Sequence, residues 1–182
     1  MIRSFRYYLF DIDGTLVDSA LDICGAIREV LSGTEQADVS FEFLRGYIGR
    51  HLIDLFTDLF PQAPPDQVEA MIHHYRQIYP ARGHLSTSLY PGVVEGLAAL
   101  GGKKATATTK GTPTTRIVLE KFGLLGFFDH VQGTDGFPCK PAPDVLLRAI
   151  EGIAGDASDC LMVGDSPTDM EAGRRAGVKT CA

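Results

Sequence analysis

The sequence predicts an α/β fold, a doubly wound parallel sheet with a small all-helical unit inserted after its first strand. An apolar and aromatic run, Phe5 to Phe10, leads straight into Asp11-Ile12-Asp13-Gly14, which reads as a buried strand ending at a glycine turn. Residues 17–80 then carry four helical patterns and no convincing strand. From residue 89 onward, short apolar runs alternate with helical patterns, which calls for a parallel sheet covered on both faces. The expected division is therefore 1–16 plus 81–182 as an α/β core, with 17–80 as the helical insertion.

The first strand organises the rest. On an extended backbone Asp11 and Asp13 share a face, and the chain is leaving the strand here, so both carboxylates can converge at its C-terminal end. Open α/β sheets place their ligands at that end. Two crowded carboxylates repel and require a cation or a shared proton, and an oxygen-rich site of this kind suits magnesium. A calcium loop counted from Asp11 would need glycine sixth and glutamate twelfth. Leu16 and Asp22 stand there instead, so that reading fails.

Bulk properties narrow the class. The 182 residues suffice for one domain with a modest insertion, and 45% hydrophobic content for a true core. A net charge of −6 with no Lys/Arg cluster argues against a nucleic-acid binder. No apolar run approaches a membrane span. The N-terminal MIRSFRYYLF enters the acidic motif rather than a cleavage site. Cys24, Cys139, Cys160 and Cys181 are scattered without C-x-x-C spacing, which fits reduced thiols in a cytoplasmic protein.

Taken in order, Ser19 and Asp22 resemble a capping box opening a helix through Ile23, Ile27, Val30 and Leu31. A second helix is expected from Ser40, and a third through Leu52, Leu55, Phe56 and Leu59. A fourth starts at Pro65 and buries Val68, Met71, Ile72, Tyr75 and Ile78. In the core, Val93 to Leu100 reads as helix, Ala105–Thr108 as strand, and Ile117 to Phe122 as helix. Phe127–Val131 reads as a short strand, Val145 to Ile150 as helix, and Cys160–Val163 as strand. A helix to Ala176 and a last strand over Val178–Cys181 complete a Rossmann-like core.

Further polar groups stand at the ends of these strands. Thr108 offers a hydroxyl able to hold a phosphate oxygen. Lys140 sits in a loop made rigid by Pro138, Pro141 and Pro143, which lowers the entropy lost on aiming it. Asp165 and Asp169 flank the turn after Cys160–Val163, and Asp169 falls in the first turn of a helix, where the dipole favours negative charge. The ordered set FDIDGT, ATTK, KPAPD and VGDSPTD resembles the motifs of the haloacid dehalogenase-like superfamily over nearly the whole chain. The helical insertion resembles the cap of its phosphoglycolate phosphatase-like and phosphoglucomutase-like branch.

The resemblance implies a magnesium-dependent phosphatase acting on a small phosphorylated metabolite. Asp11 would be the nucleophile and Asp13 the general acid and base. Lys140 with Thr108 would hold phosphoryl oxygens, Thr109 would help bind substrate, and Asp11, Asp165 and the Asp13 carbonyl would hold the metal. Asp169 would orient Lys140 or a metal-bound water. Asp13 sets a dehalogenase aside, and the absence of lysine from residues 16–91 sets a phosphonatase aside. A sugar-phosphate mutase shares every motif and remains the alternative, with a non-catalytic binding module of the same fold behind it. Within the insertion, Arg45, Arg50 and His51 are candidates for gripping the rest of the substrate. Arg50 is favoured because Gly49 precedes it at a helix junction. Relatives of this kind normally continue beyond the last strand.

Overall fold

Tyr7–Phe10 forms the first strand, β1, with Tyr8, Leu9 and Phe10 buried. In the computed structural model, which describes residues 5–182, β1 lies inside a parallel sheet between two other strands. Met1–Ser4, the start of the stretch read above for a cleavage site, lie outside the described residues. A two-residue strand, Val17–Asp18 (β2), pairs antiparallel with Ser88–Leu89 (β3). Lys103–Thr106 (β4), Cys160–Val163 (β5) and Lys179–Cys181 (β6) complete the main sheet, ordered β4-β1-β5-β6. Leu9 pairs with Ala105 on one side and Met162 on the other. The fold is the α/β class expected.

Side-chain alternation along β1 divides the core. Tyr8 and Phe10 join Leu97, Val118, Leu119 and Leu124 on one face of the sheet. Leu9 joins Val145, Leu146, Met162 and Ala172 on the other. Burial on both faces is why β1 and β5 are apolar throughout, whereas β4 opens on Lys103 and Lys104 and β6 is exposed. The covering helices are Val93–Ala99 and Thr112–Lys121 on the first face, and Asp144–Gly152 and Pro167–Ala176 on the second.

The chain divides into two compact units, Met1–Asp18 with Ser88–Ala182, and Ser19–Thr87. The second holds four helices, Ala20–Leu31 (α1), Phe41–Arg45 (α2), Leu52–Leu59 (α3) and Pro65–Ala81 (α4). Following these in the first unit are α5 (Val93–Ala99), α6 (Thr112–Lys121), α7 (Asp144–Gly152) and α8 (Pro167–Ala176). Cys24, Ile27, Leu31, Leu44, Phe56 and Ile72 pack into a separate core for the helical unit. No helix among the described residues is long and apolar enough to cross a membrane.

Three local expectations fail for physical reasons. Ser19 precedes α1 but makes no side-chain capping bond. Asp22 is buried and accepts instead from Ser86 N at 2.9 Å and Thr87 Oγ1 at 2.7 Å, partners more than sixty residues away. Phe127–Val131 is not a strand: a 3₁₀ turn covers Leu125–Phe127, and one isolated bridge joins His130 to Ala105. There Asp129 turns the chain, its carboxylate accepting from Lys104 N and its amide donating to Lys104 O. Finally, β4 ends at Thr106, so Thr108 lies two residues beyond its strand.

Candidate active site

The parallel ladder aims the first acidic pair. Ala107 N donates to Phe10 O and Asp11 N to Val163 O, so Asp11 leaves β1 held by both neighbouring strands. The chain then turns sharply, Leu16 N bonding Ile12 O and Gly14 N bonding Val17 O. Gly14 adopts φ +91°, and a Cβ there would stand 2.3 Å from Asp165 Oδ2. Only glycine fits both constraints. Thr15 Oγ1 donates to Asp165 Oδ1 at 2.9 Å, tying the turn after β1 to the turn after β5.

Lys140 is the buried cation at this end of the sheet. Its Nζ lies 3.0 Å from Asp11 Oδ1, and it donates to Asp169 Oδ1 at 2.5 Å and to Ala107 O at 3.0 Å. Asp169 completes a capping box on α8, its Oδ2 accepting from Ser166 N and Ser166 Oγ. Both of its oxygens are thus engaged, one by the helix cap and one by Lys140. Capping and lysine anchoring are not alternatives here.

Charge in the site is not balanced by protein groups alone. Burial, with a smaller push from the Asp169 and Asp13 carboxylates, raises the Asp11 pKa to about 6, against the lowering pull of Lys140. Burial by itself would lower the Lys140 ammonium, but Asp11 and Asp169 outweigh it and keep the lysine above its usual value. The Asp11 carboxylate is buried, with Lys140 Nζ 3.0 Å from its Oδ1 and the Ile12 backbone also favouring its charged form. One oxygen each from Asp11, Asp165 and Asp169 lies within 4.8 Å of the others. Buried carboxylate oxygens gathered beside further acidic groups fit a hard divalent cation. Because Asp169 is already engaged, Asp11 and Asp165 are the side chains able to hold it.

Asp11, Asp13, Lys140, Asp165 and Asp169 therefore gather at one end of the sheet. Thr108 is buried, and its Oγ1 accepts from Lys110 N at 3.3 Å, while Thr109 is half-buried beside it. Arg50 lies in the helical unit at the start of α3. Its guanidinium stacks over the Tyr47 ring at 4.5 Å and stands 4.0 Å from Asp54. Arg45 sits in the last turn of α2, and His51 caps α3, Nδ1 accepting from Ile53 N.

Two residues of the site escaped the sequence reading. Thr15 is one. The other is Lys110, whose Nζ meets Asp13 Oδ2 at 3.0 Å with both side chains nearly buried. The lysine of the ATTK string was the only available signal, and nothing in its spacing gave its direction.

Acidic turns after two neighbouring parallel strands, joined by a buried lysine, define a class of hydrolase. The haloacid dehalogenase-like hydrolase family matches residues 8–182, and the chain belongs to it. Within that family it is phosphoglycolate phosphatase-like. It is 34% identical over 177 residues to the phosphoglycolate phosphatase of Caulobacter vibrioides, covering 93% of this chain and 75% of that protein. The phosphoglycolate phosphatase of Aquifex aeolicus is 33% identical over 183 residues, with 96% and 83% covered. Among solved structures, a haloacid dehalogenase-like family hydrolase from Streptococcus pneumoniae superposes with a TM-score of 0.86 at 26% identity, over 97% of this chain and 83% of that one.

Proposed function

We propose that the protein is a magnesium-dependent phosphatase that hydrolyses small phosphomonoesters through an aspartyl-phosphate on Asp11, in the manner of a phosphoglycolate phosphatase. The observation that carries this reading is the buried Asp11 carboxylate at the sheet end, 3.0 Å from the Lys140 ammonium and within 4.8 Å of the Asp165 and Asp169 oxygens. A carboxylate placed in this way, beside a cation that screens it, can attack phosphorus in line. Residues 17–80 would serve as the cap that selects among substrates, and phosphoglycolate phosphatases among the relatives favour hydrolysis over the mutase alternative.

The residues divide the work. Lys140 and the Thr108 hydroxyl bind non-bridging phosphoryl oxygens, with Thr109 beside them, and Lys140 screens Asp11 from the incoming anion. Asp13 protonates the leaving alkoxide and then takes a proton from the water that hydrolyses the aspartyl-phosphate. Asp169 holds Lys140 in place. Magnesium, held by Asp11, Asp165 and the Asp13 backbone carbonyl, would supply charge compensation between an anionic nucleophile and an anionic substrate.

A panel of small phosphoesters assayed with and without magnesium tests the reading. EDTA should abolish hydrolysis and magnesium should restore it. Undiminished turnover in metal-free buffer would remove the metal from the mechanism, and inactivity across the panel would remove the phosphatase reading.

Specificity would come from the helical unit, and Arg50 is the residue proposed to pair with a substrate carboxylate. A charge-assisted hydrogen bond is worth roughly 1.5–3 kcal/mol, so Arg50→Ala should lower kcat/KM for phosphoglycolate about ten- to hundredfold. Hydrolysis of p-nitrophenyl phosphate, which has no carboxylate, should hardly change. An unchanged ratio of the two activities would leave Arg50 as the partner of Tyr47 and Asp54 only.

A further inference from the structure

Lys110 reaches Asp13 from residues 107–111, a loop with no helix or strand of its own. A second loop, residues 132–135, holds it. Thr134 N donates to Lys110 O at 3.1 Å, and the Thr134 hydroxyl donates to Thr108 O at 2.9 Å. Gly133 N donates to Thr112 Oγ1 at 2.8 Å, and Asp135 Oδ1 accepts from Thr112 N at 3.0 Å. The bracing loop is itself anchored beside β4, where the Thr106 hydroxyl donates to Gln132 O and accepts from Gln132 N.

At Gly133 the two loops approach backbone to backbone. A Cβ on Gly133 would fall 2.3 Å from Lys110 O and 2.4 Å from Thr112 N, so no side chain can stand between them. The contacts fall on both sides of Lys110, at Thr108, Lys110 itself and Thr112. A lysine side chain is long and has many rotamers, so it meets one carboxylate reproducibly only when its backbone origin is fixed. Simple satisfaction of loop hydrogen bonds would not require them to bracket this residue.

We propose that Gly133, Thr134 and Asp135 are positioning residues: they fix the backbone of Lys110 so that its ammonium meets Asp13 and orients that carboxyl toward the leaving group. The proposal rests on the reading of Asp13 as the acid and base of a phosphatase. None of the three touches Asp13 directly; they act through the 108–112 backbone and the Lys110 side chain.

The test has one readout independent of turnover and one that depends on it. Reductive methylation with formaldehyde and cyanoborohydride, followed by peptide mass spectrometry, measures how open Lys110 is. Thr134→Val and the exposed-site variant Asp135→Ala should each label Lys110 severalfold faster than the natural protein. Asp135→Asn, whose amide oxygen can still accept from Thr112 N, should restore the natural rate. In kinetics, Asp135→Ala should lower kcat for an alkyl phosphate roughly five- to tenfold, the scale of one lost hydrogen bond, with little change in KM. In a Lys110→Met background the same substitution should cost less than about twofold, because both changes act on one interaction. Unchanged Lys110 labelling in both variants overturns the proposal whatever the activity. So does an equal kcat loss in both backgrounds, which would make the loop a brace for the fold alone. If the natural protein hydrolyses no phosphoester, the phosphatase reading falls while the labelling still decides whether this loop positions Lys110.

Discussion

Asp11→Asn should abolish turnover and yet leave the metal-free protein more stable than the natural one at about pH 7.5. With Asp11 as the proposed nucleophile, its loss should lower kcat by on the order of 10⁴–10⁶-fold. The gain in stability follows from the raised pKa of Asp11, about 6 against an ordinary 3.8. A rise of about two units, each about 1.4 kcal/mol, means that ionised Asp11 costs about 3 kcal/mol in the folded state. The sign is that of a carboxyl that binds its proton more tightly when folded. Its stabilising contribution is complete below the unfolded value near 4, and it is lost as pH rises through about 6. Asparagine escapes that loss, so its advantage should reach up to about 3 kcal/mol above about pH 6 and vanish near about pH 4. Lys140 retains Asp169 as a partner in the variant. Added magnesium should narrow the gap by binding the natural protein more tightly. Urea unfolding with EDTA at both pH values checks this, and an Asn variant less stable at the higher pH would refute the argument.

Asp13→Asn should lower kcat by about 10²–10⁴-fold, the range of general acid–base catalysis. The loss should be largest for alkyl phosphates, whose leaving groups need a proton, and smallest for an activated aryl phosphate. The pair between Lys110 and Asp13 adds a second expectation. With the carboxylate neutralised, Lys110 loses an ionic partner, and its reductive methylation should quicken. Equal losses on both classes of ester would assign Asp13 a structural or metal-holding role instead.

How much of this was legible in the sequence depended on how local each cause was. The strand before Asp11 and the helix opened by Pro65 are set by burial and by the fixed φ of proline, and both appear in their expected places. Asp11 stands where β1 ends and Asp169 just beyond the turn after β5, as strand ends imply. Lys140, by contrast, comes from a loop with no strand before it, and only the resemblance brought it to Asp11. Asp22 was misread because its neighbours Ser86 and Thr87 lie at the far end of the helical unit, and no local pattern reports them. Lys110 was overlooked for a related reason. With β4 ending at Thr106 rather than Thr108, strand alternation says nothing of where a residue four positions later points. Its direction comes from Gly133–Asp135, a segment apart in sequence. Thr15 likewise works across the sheet, on Asp165.

The small pairing of β2 with β3 has a consequence for how such a chain can change. Asp18 and Ser88 are ladder partners, so the main chain departs from and returns to the first unit at neighbouring points. Inside the helical unit, Asp22 similarly joins its beginning to Ser86 and Thr87 at its end. To the sheet, then, residues 19–87 amount to one closed loop. The entropy of closing such a loop grows only with the logarithm of its length, about 0.6 kcal/mol for each doubling. By this closure term alone, a longer or shorter segment, or another segment in its place, costs the sheet little. On the proposed reading, diversification of specificity and preservation of chemistry then fall to separate stretches of one polypeptide.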